Sequence, residues 1–268
     1  MASHGFAPSG EAMIYYQTEG DGPAVLFIHA GVADSRMWQA QMGLPGLQTI
    51  AFDQRGFGHT AWAPAPYANR EDALAVLDHL DIGWAVVVGC SNGAEAALQL
   101  ALIAPSRVRA LVLIGAAPRG WEPEGGWSAE PFEDEIASAF DRGAFAEVVR
   151  HEAQFWLAGP TRSLDDVDPE TLALFEEMDL IPQTTERERD NHVQTLDPPT
   201  NEQLDRIDAP TLVIVGEHDL PDLRVAADYL ADRLSDQSAV VLKDTAHLPS
   251  MDQPGPLNRV ITGFIASL

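Results

Sequence analysis

The chain has 268 residues, 41 Asp and Glu against 16 Lys and Arg, and a formal net charge of −25. At this length one large α/β domain or two smaller ones are expected, burying roughly two thirds to three quarters of the unfolded surface. A hydrophobic content of 46% argues against disorder or a fibrous repeat, and the negative charge argues against nucleic-acid or membrane-surface partners.

In chain order, the first 35 residues hold no Lys or Arg, and the early apolar run Ala24 to Ile28 is too short for a secretion leader or a bilayer span. With Cys90 alone there is no internal disulfide, so a cytoplasmic protein is expected. Ala12 to Thr18, Ala24 to His29 and Thr49 to Asp53 are short runs bounded by Gly, Pro or Asp and read as strands. Ala85 to Cys90 and Arg109 to Gly115 are nearly continuous apolar runs, separated by a helical stretch from Asn92 to Ala104 that stops at Pro105. Strand, helix, strand with both strands apolar on each side predicts a buried parallel sheet.

The pattern lapses after Ala117 and resumes at Thr211 to Gly216, followed by a helix from Leu223 to Leu234, a strand from Ala239 to Leu242 and a closing helix from Leu257 to Ser267. Between the halves, Glu133 to Phe140, Ala144 to Leu157 and Pro169 to Met178 read as amphipathic helices, with no strand candidate. Residues 119–198 are thus expected to form an all-helical insertion, with 1–118 and 199–268 as one core domain. The insertion is also the most acidic part, with 20 Asp and Glu against 6 Lys and Arg, which reads as a solvated surface.

Gly89-Cys90-Ser91-Asn92-Gly93 follows the apolar strand directly and opens the helix. A chain turning that tightly needs small residues on both sides of the serine, whose hydroxyl is left exposed at the top of the sheet. The helix start adds free backbone N–H groups and positive potential where an oxyanion would form. Downstream, Gly216-Glu217-His218-Asp219 and Asp244-Thr245-Ala246-His247 each follow a strand.

On these motifs the sequence resembles the α/β-hydrolase superfamily, in its serine branch with a helical cap, and is similar to carboxylesterases and enol-lactone hydrolases. The chain order Ser, Asp, His is the one this fold uses. The resemblance implies an α/β-hydrolase fold, with a mostly parallel central sheet flanked by helices and the 119–198 insertion as a lid. It implies Ser91 as nucleophile, His247 as general base and acid, and Asp219 as its orienting partner. Phe27-Ile28-His29-Ala30-Gly31-Val32 looks like the family's oxyanion loop with Ala30 in place of the usual Gly. By position the N–H of Gly31, with Val32 as the alternative, pairs with that of Asn92. Glu217 and Asp222 compete with Asp219 for the acid's place; His29 and the Asp53 to His59 turn read as scaffold, and Cys90 as buried filler.

The expected activity is therefore hydrolysis of a small-molecule carboxylic ester or lactone through an acyl-enzyme. Cofactor-free perhydrolase or carbon-carbon bond hydrolase chemistry on the same triad is the alternative, and a ligand-binding receptor-like protein the alternative of another class. The eight histidines are scattered without a metal-binding spacing, so neither metal nor cofactor is expected; a homo-oligomer is left open. Trp121, Trp127, Phe132, Phe155 and Trp156 are candidates for an apolar pocket, though aromatics at helical spacing also fit plain core. Arg119 or Arg36 would suit an anionic substrate.

Overall fold

A computed structural model describes residues 2–128, 130–184, 189, 191–235 and 237–268, with no side chain described at 130–133 or 184. Eight strands, β1 (Ser3–Ser9), β2 (Ala12–Glu19), β3 (Ala24–Ile28), β4 (Gln48–Phe52), β5 (Ala85–Cys90), β6 (Val108–Ile114), β7 (Thr211–Gly216) and β8 (Val240–Leu242), form one sheet. Its order is β1-β2-β4-β3-β5-β6-β7-β8. β1, β2 and β4 pair antiparallel, and every pairing from β4 to β8 is parallel.

The parallel strands are buried on both faces because each alternate residue enters a different apolar layer. Leu26 and Ile28 of β3 join Leu98 and Leu100 on one face, whereas Val25 and Phe27 join Trp38 and Cys90 on the other. Complete burial of one such side chain contributes about 1.5–3 kcal/mol, which is why the register of these strands is strongly specified.

β1 was not among the sequence-predicted strands, and its composition explains that. Gly5 and Pro8 both weaken a strand pattern. Pro8 is tolerated because β1 is the sheet edge, and Gly10, at φ 58°, closes a two-residue hairpin into β2. Helix α1 (Asn69–His79) also escaped notice, because Asn69, Arg70 and Asp72 are among its buried residues and blur the apolar stripe. Asp72 is satisfied by Ser9 Oγ at 2.6 Å and by Arg55 at 2.7 and 2.8 Å.

Helix α2 (Asn92–Ile103) is rich in Ala and Leu, the residues with least to lose on helix formation, and it ends before Pro105. Between β6 and β7 lie α3 (Glu130–Asp141), α4 (Phe145–Glu152) and α5 (Pro169–Leu180). The single helix expected over Ala144 to Leu157 is instead α4 followed by a π-helical turn, Ala153–Ala158, stopped by Gly159 at φ 81°. Among the described residues of this segment the one β contact is an isolated bridge from Val193 to Tyr67. After β7 come α6 (Pro221–Leu234), α7 (Pro249–Asp252) and α8 (Pro254–Ile265). No helix among the described residues is long and apolar enough to cross a membrane.

Candidate active site

Ser91 stands between the end of β5 and the start of α2 at φ 53° and ψ −118°, a region L residues rarely adopt. The turn closes because its flanks are glycine. A Cβ on Gly89 would lie 2.3 Å from the carbonyl oxygen of Gly93, and one on Gly93 would lie 2.2 Å from that of Ile28. The Ser91 N–H donates to Ile114 O at 2.9 Å, tying the turn to the adjacent strand. Cys90 is fully buried on the opposite face, and burial pushes its thiol well above the ordinary cysteine range. Its Sγ lies 3.4 Å from His247 O, so the thiol packs beneath the histidine loop.

His247 and Asp219 come from the loops after β8 and β7 and are both buried. The imidazole Nδ1 sits 3.1 and 3.0 Å from the two Asp219 carboxylate oxygens, and Oδ1 also accepts the Leu220 N–H at 2.9 Å. With Nδ1 taken up, Nε2 is left buried and without a hydrogen-bond partner among the described residues. Ser91 and His247 line the same cavity. The competing acids are engaged elsewhere: Glu217 accepts the Asp244 N–H at 3.2 Å, and Asp222 takes the N–H and hydroxyl of Ser128, each at 2.6 Å.

Three supports hold the imidazole, and none is evident from the sequence alone. Gly115, at φ 55°, passes so close that a Cβ there would be 2.7 Å from the ring's Cε1 and Nδ1. The Trp156 ring, carried on the π turn, lies 4.5 Å from the His247 ring, and Trp156 O accepts the His247 N–H at 3.2 Å. Arg162 donates to Leu157 O at 2.9 Å and Asp244 O at 3.1 Å and pairs with Asp252 at 2.6 Å, bridging the π turn to the histidine loop.

The loop after β3 reaches the same place. His29 is buried, with Nε2 accepting the Gln54 N–H at 2.8 Å and Nδ1 2.7 Å from Ala30 O. That pattern assigns the neutral tautomer with the proton on Nδ1, and burial holds its pKa below the usual histidine value. Asp53 accepts the Ser35 N–H at 2.8 Å and the His59 N–H at 2.7 Å, so both segments are scaffold. Among the described residues the N–H groups of Gly31 and Asn92 donate to no protein acceptor. Gly31 and Asn92 line a common cavity, and a Cβ on Gly31 would be 3.7 Å from that of Asn92. Val32, the alternative, packs against the core.

Two cavities, here called lobes, share Asn92 and Arg119 in their walls, and Ser91 lines the first. One, about 390 Å³, is lined by Trp127, Trp156, Leu220 and Leu223 together with Ser91 and His247. The other, also about 390 Å³, is more polar, with Tyr67, Asn69, Arg189 and Thr195 beside Gly31. Of the aromatic candidates, Trp127 and Trp156 line the site. Phe155 packs behind on Leu220 and Leu223, Trp121 meets Trp127 edge to face at 5.7 Å, and the Phe132 side chain lies outside the described residues.

Arg36 is spoken for: it pairs with Asp34 at 2.8 Å and with Glu177, and it lines a separate cavity with Met37 and Leu174. Arg119 instead is exposed at the junction of the two lobes and makes no side-chain ion pair among the described residues. Contrary to the scatter of histidines in the sequence, Glu217, His218 and Asp244 bring ligand atoms within 4.8 Å of one another. Two of the three are exposed carboxylates and His218 Nδ1 already lies 2.6 Å from Thr161 Oγ1.

Comparison with known proteins agrees with this architecture. A sequence profile described as the alpha/beta hydrolase fold matches residues 23–254. A Variovorax paradoxus protein carrying the provisional name carbamate hydrolase RutD is 29% identical, covering 94% of this chain and 96% of its own. The 3-oxoadipate enol-lactonase 1 of Acinetobacter baylyi is 25% identical, covering 92% of this chain and 90% of its own. Among solved structures, Est816, described as an N-acyl homoserine lactone degrading enzyme, superposes with a TM-score of 0.77 at 25% identity over 98% of this chain and 100% of its own.

Proposed function

The chain belongs to the alpha/beta hydrolase fold family, and from that premise we propose that it is a serine hydrolase cleaving small-molecule carboxylic esters or lactones. The observation that carries the reading is His247, with Nδ1 on Asp219 and Nε2 buried and unpartnered in the cavity that Ser91 lines. A base held in one tautomer, with its other nitrogen unpartnered and a strained serine lining the same cavity, is what acyl transfer needs.

Ser91 Oγ attacks the carbonyl carbon while His247 Nε2 takes its proton, giving a tetrahedral oxyanion held by the N–H groups of Gly31 and Asn92. Collapse breaks the bond to the leaving alcohol oxygen, which receives the proton from His247. Water then attacks the acyl-serine with the same base, returning the acid and free Ser91. Asp219 keeps the Nδ1 proton in place and stabilises the imidazolium while it exists.

In this reading, residues 119–198 are a lid, and its wall residues set substrate choice. The apolar lobe takes the hydrocarbon part of the substrate. The relatives named for lactone and carbamate hydrolysis support an acyl-transfer substrate without fixing which. Arg119 favours one that carries a carboxylate, since an exposed guanidinium at the mouth of a chain of charge −25 both attracts and orients an anion.

The test is steady-state hydrolysis of p-nitrophenyl acetate and of the mono-p-nitrophenyl ester of succinate. The wild type is expected to turn over both, with a burst of p-nitrophenolate equal to the enzyme concentration, and to favour the succinate. Arg119→Ala is expected to raise KM for the succinate about three- to tenfold, the worth of one partly exposed ion pair. Slow binding without a burst from either ester would place the protein with ligand-binding members of the fold instead.

A further inference from the structure

Four residues after Ser91 on the same helix, Glu95 presents a half-buried carboxylate to the cavity wall that the reaction above does not use. One of its oxygens, Oε1, accepts from Thr200 Oγ1 at 2.5 Å and from Gln99 Nε2 at 2.8 Å. The other, Oε2, accepts the backbone N–H of Arg119 at 3.1 Å. Burial nevertheless raises its pKa above the ordinary glutamate value, against the three hydrogen bonds and the Arg119 charge, which favour the carboxylate.

The partners are the two places where the chain crosses between the core and the 119–198 segment. Arg119 follows the exit from β6, and Thr200 is where the chain returns ahead of β7. These crossings also hold each other. Asn201 N–H donates to Arg119 O at 3.0 Å, and Gly120, at φ 88°, passes so near Pro199 that a Cβ would be 2.9 Å from its ring. Gln99 extends the network: its Oε1 accepts from Arg70 NH1 at 2.8 Å, and that nitrogen also donates to Gln194 O at 2.8 Å. Polar groups of α1 and α2 thus grip the returning chain at two points and the departing chain at one.

We propose that Glu95 is a positioning residue, a clasp that fixes both crossings of the 119–198 segment relative to Ser91 and so sets the cavity between the nucleophile, Trp127 and Arg119. The inference rests on the assignment of Ser91 as nucleophile. Its chemistry is specific to a carboxylate. All three groups facing it are donors, and an amide would turn its own donor toward one of them. Carried on the nucleophile's helix, the clasp transmits any shift of the crossings to the width of the site but leaves the His247–Asp219 pair, on other loops, untouched.

Thr200 lines neither lobe, so Thr200→Val removes one arm of the clasp without altering the cavity surface. Wild type, Thr200→Val, Glu95→Gln and the double variant are compared on p-nitrophenyl acetate and p-nitrophenyl decanoate. Thr200→Val is expected to raise KM for the decanoate about tenfold, equivalent to ~1.4 kcal/mol, with kcat on the acetate within about twofold of wild type. Adding it to Glu95→Gln should change little, because both remove the same contact. Equal losses on both esters, independent additive losses, or no change on either would overturn the clasp.

Hydrogen exchange at the Arg119 amide reads the carboxylate's other arm without turnover: at least about tenfold faster exchange is expected in Glu95→Ala, which leaves that N–H without its acceptor, and unchanged exchange overturns the proposal. If no variant, wild type included, hydrolyses either ester, the assignment of Ser91 fails while the exchange result still decides whether the clasp exists.

Discussion

Ser91→Ala is expected to lower kcat on p-nitrophenyl acetate by about a million-fold, to a residue of activity from the oxyanion donors and binding alone. The protein should remain folded, because the Ser91 side chain makes no hydrogen bond among the described residues and its backbone bond to Ile114 O is retained. Ser91→Gly is the more informative partner. At φ 53° and ψ −118° the serine backbone is strained, by an amount on the order of 1–3 kcal/mol, which glycine relieves at a cost of roughly 0.5–1 kcal/mol in unfolded-state entropy. Its melting temperature is therefore expected at or above that of wild type while activity is gone. Strain kept at a position where it lowers stability makes sense if it aims the hydroxyl at substrate. Calorimetry beside ester kinetics checks both halves.

Asp219→Asn is the second large effect, expected to lower kcat by about ten-thousand-fold with the fold intact. An asparagine there keeps its amide oxygen on the Leu220 N–H, now accepted by Asp219 Oδ1 at 2.9 Å. Its NH2 then faces His247 Nδ1, which must become the acceptor, and the proton moves to Nε2, where the base needs a lone pair. The loss should fall on kcat for esters of every size, unlike the size-dependent KM effect expected at Thr200. Circular dichroism together with kcat on the acetate and decanoate separates the two. A fall of less than about tenfold would mean that His247 does not depend on this carboxylate.

The parts of this molecule that its sequence discloses are those where one physical requirement acts alone. β3, β5 and β7 are buried along their whole length and β6 is broken only by the exposed Arg109, so their apolar runs mark their positions directly. β1 and α1 were hidden because a second requirement overlays the first. Pro8 occupies an edge where no ladder partner is needed, and Arg70 and Asp72 are buried in ion pairs and hydrogen bonds to distant chain. The Ala144 to Leu157 stretch breaks into α4 and a π turn, and that turn carries the Trp156 ring to 4.5 Å from the His247 ring, a tertiary contact the local pattern does not contain.

In the site the same division appears. Ser91, Asp219 and His247 each follow a strand, a pattern visible in order and spacing. What supports them is set by contacts between residues far apart in the chain. Gly115 gives no motif, yet only a residue without Cβ fits beneath the imidazole. Glu95 reads as an unremarkable helix acid until Thr200, 105 residues away, is found on its carboxylate. Arg36 and Arg119 are equal candidates in sequence, and only the folded chain shows that the first is neutralised by Asp34 and Glu177 while the second stands at the cavity mouth.

The account turns on Ser91 being an activated nucleophile, and the most direct measurement is intact mass with peptide mapping after exposure to a fluorophosphonate. Phosphonylation breaks the P–F bond as Ser91 Oγ bonds to phosphorus, and it needs the working base and oxyanion donors but no knowledge of the natural substrate. A single adduct, on the peptide carrying Ser91, lost in Ser91→Ala and slowed in Asp219→Asn, is the predicted result. Folded protein that takes no adduct, or takes it on another residue with Ser91 unmodified, would contradict the account.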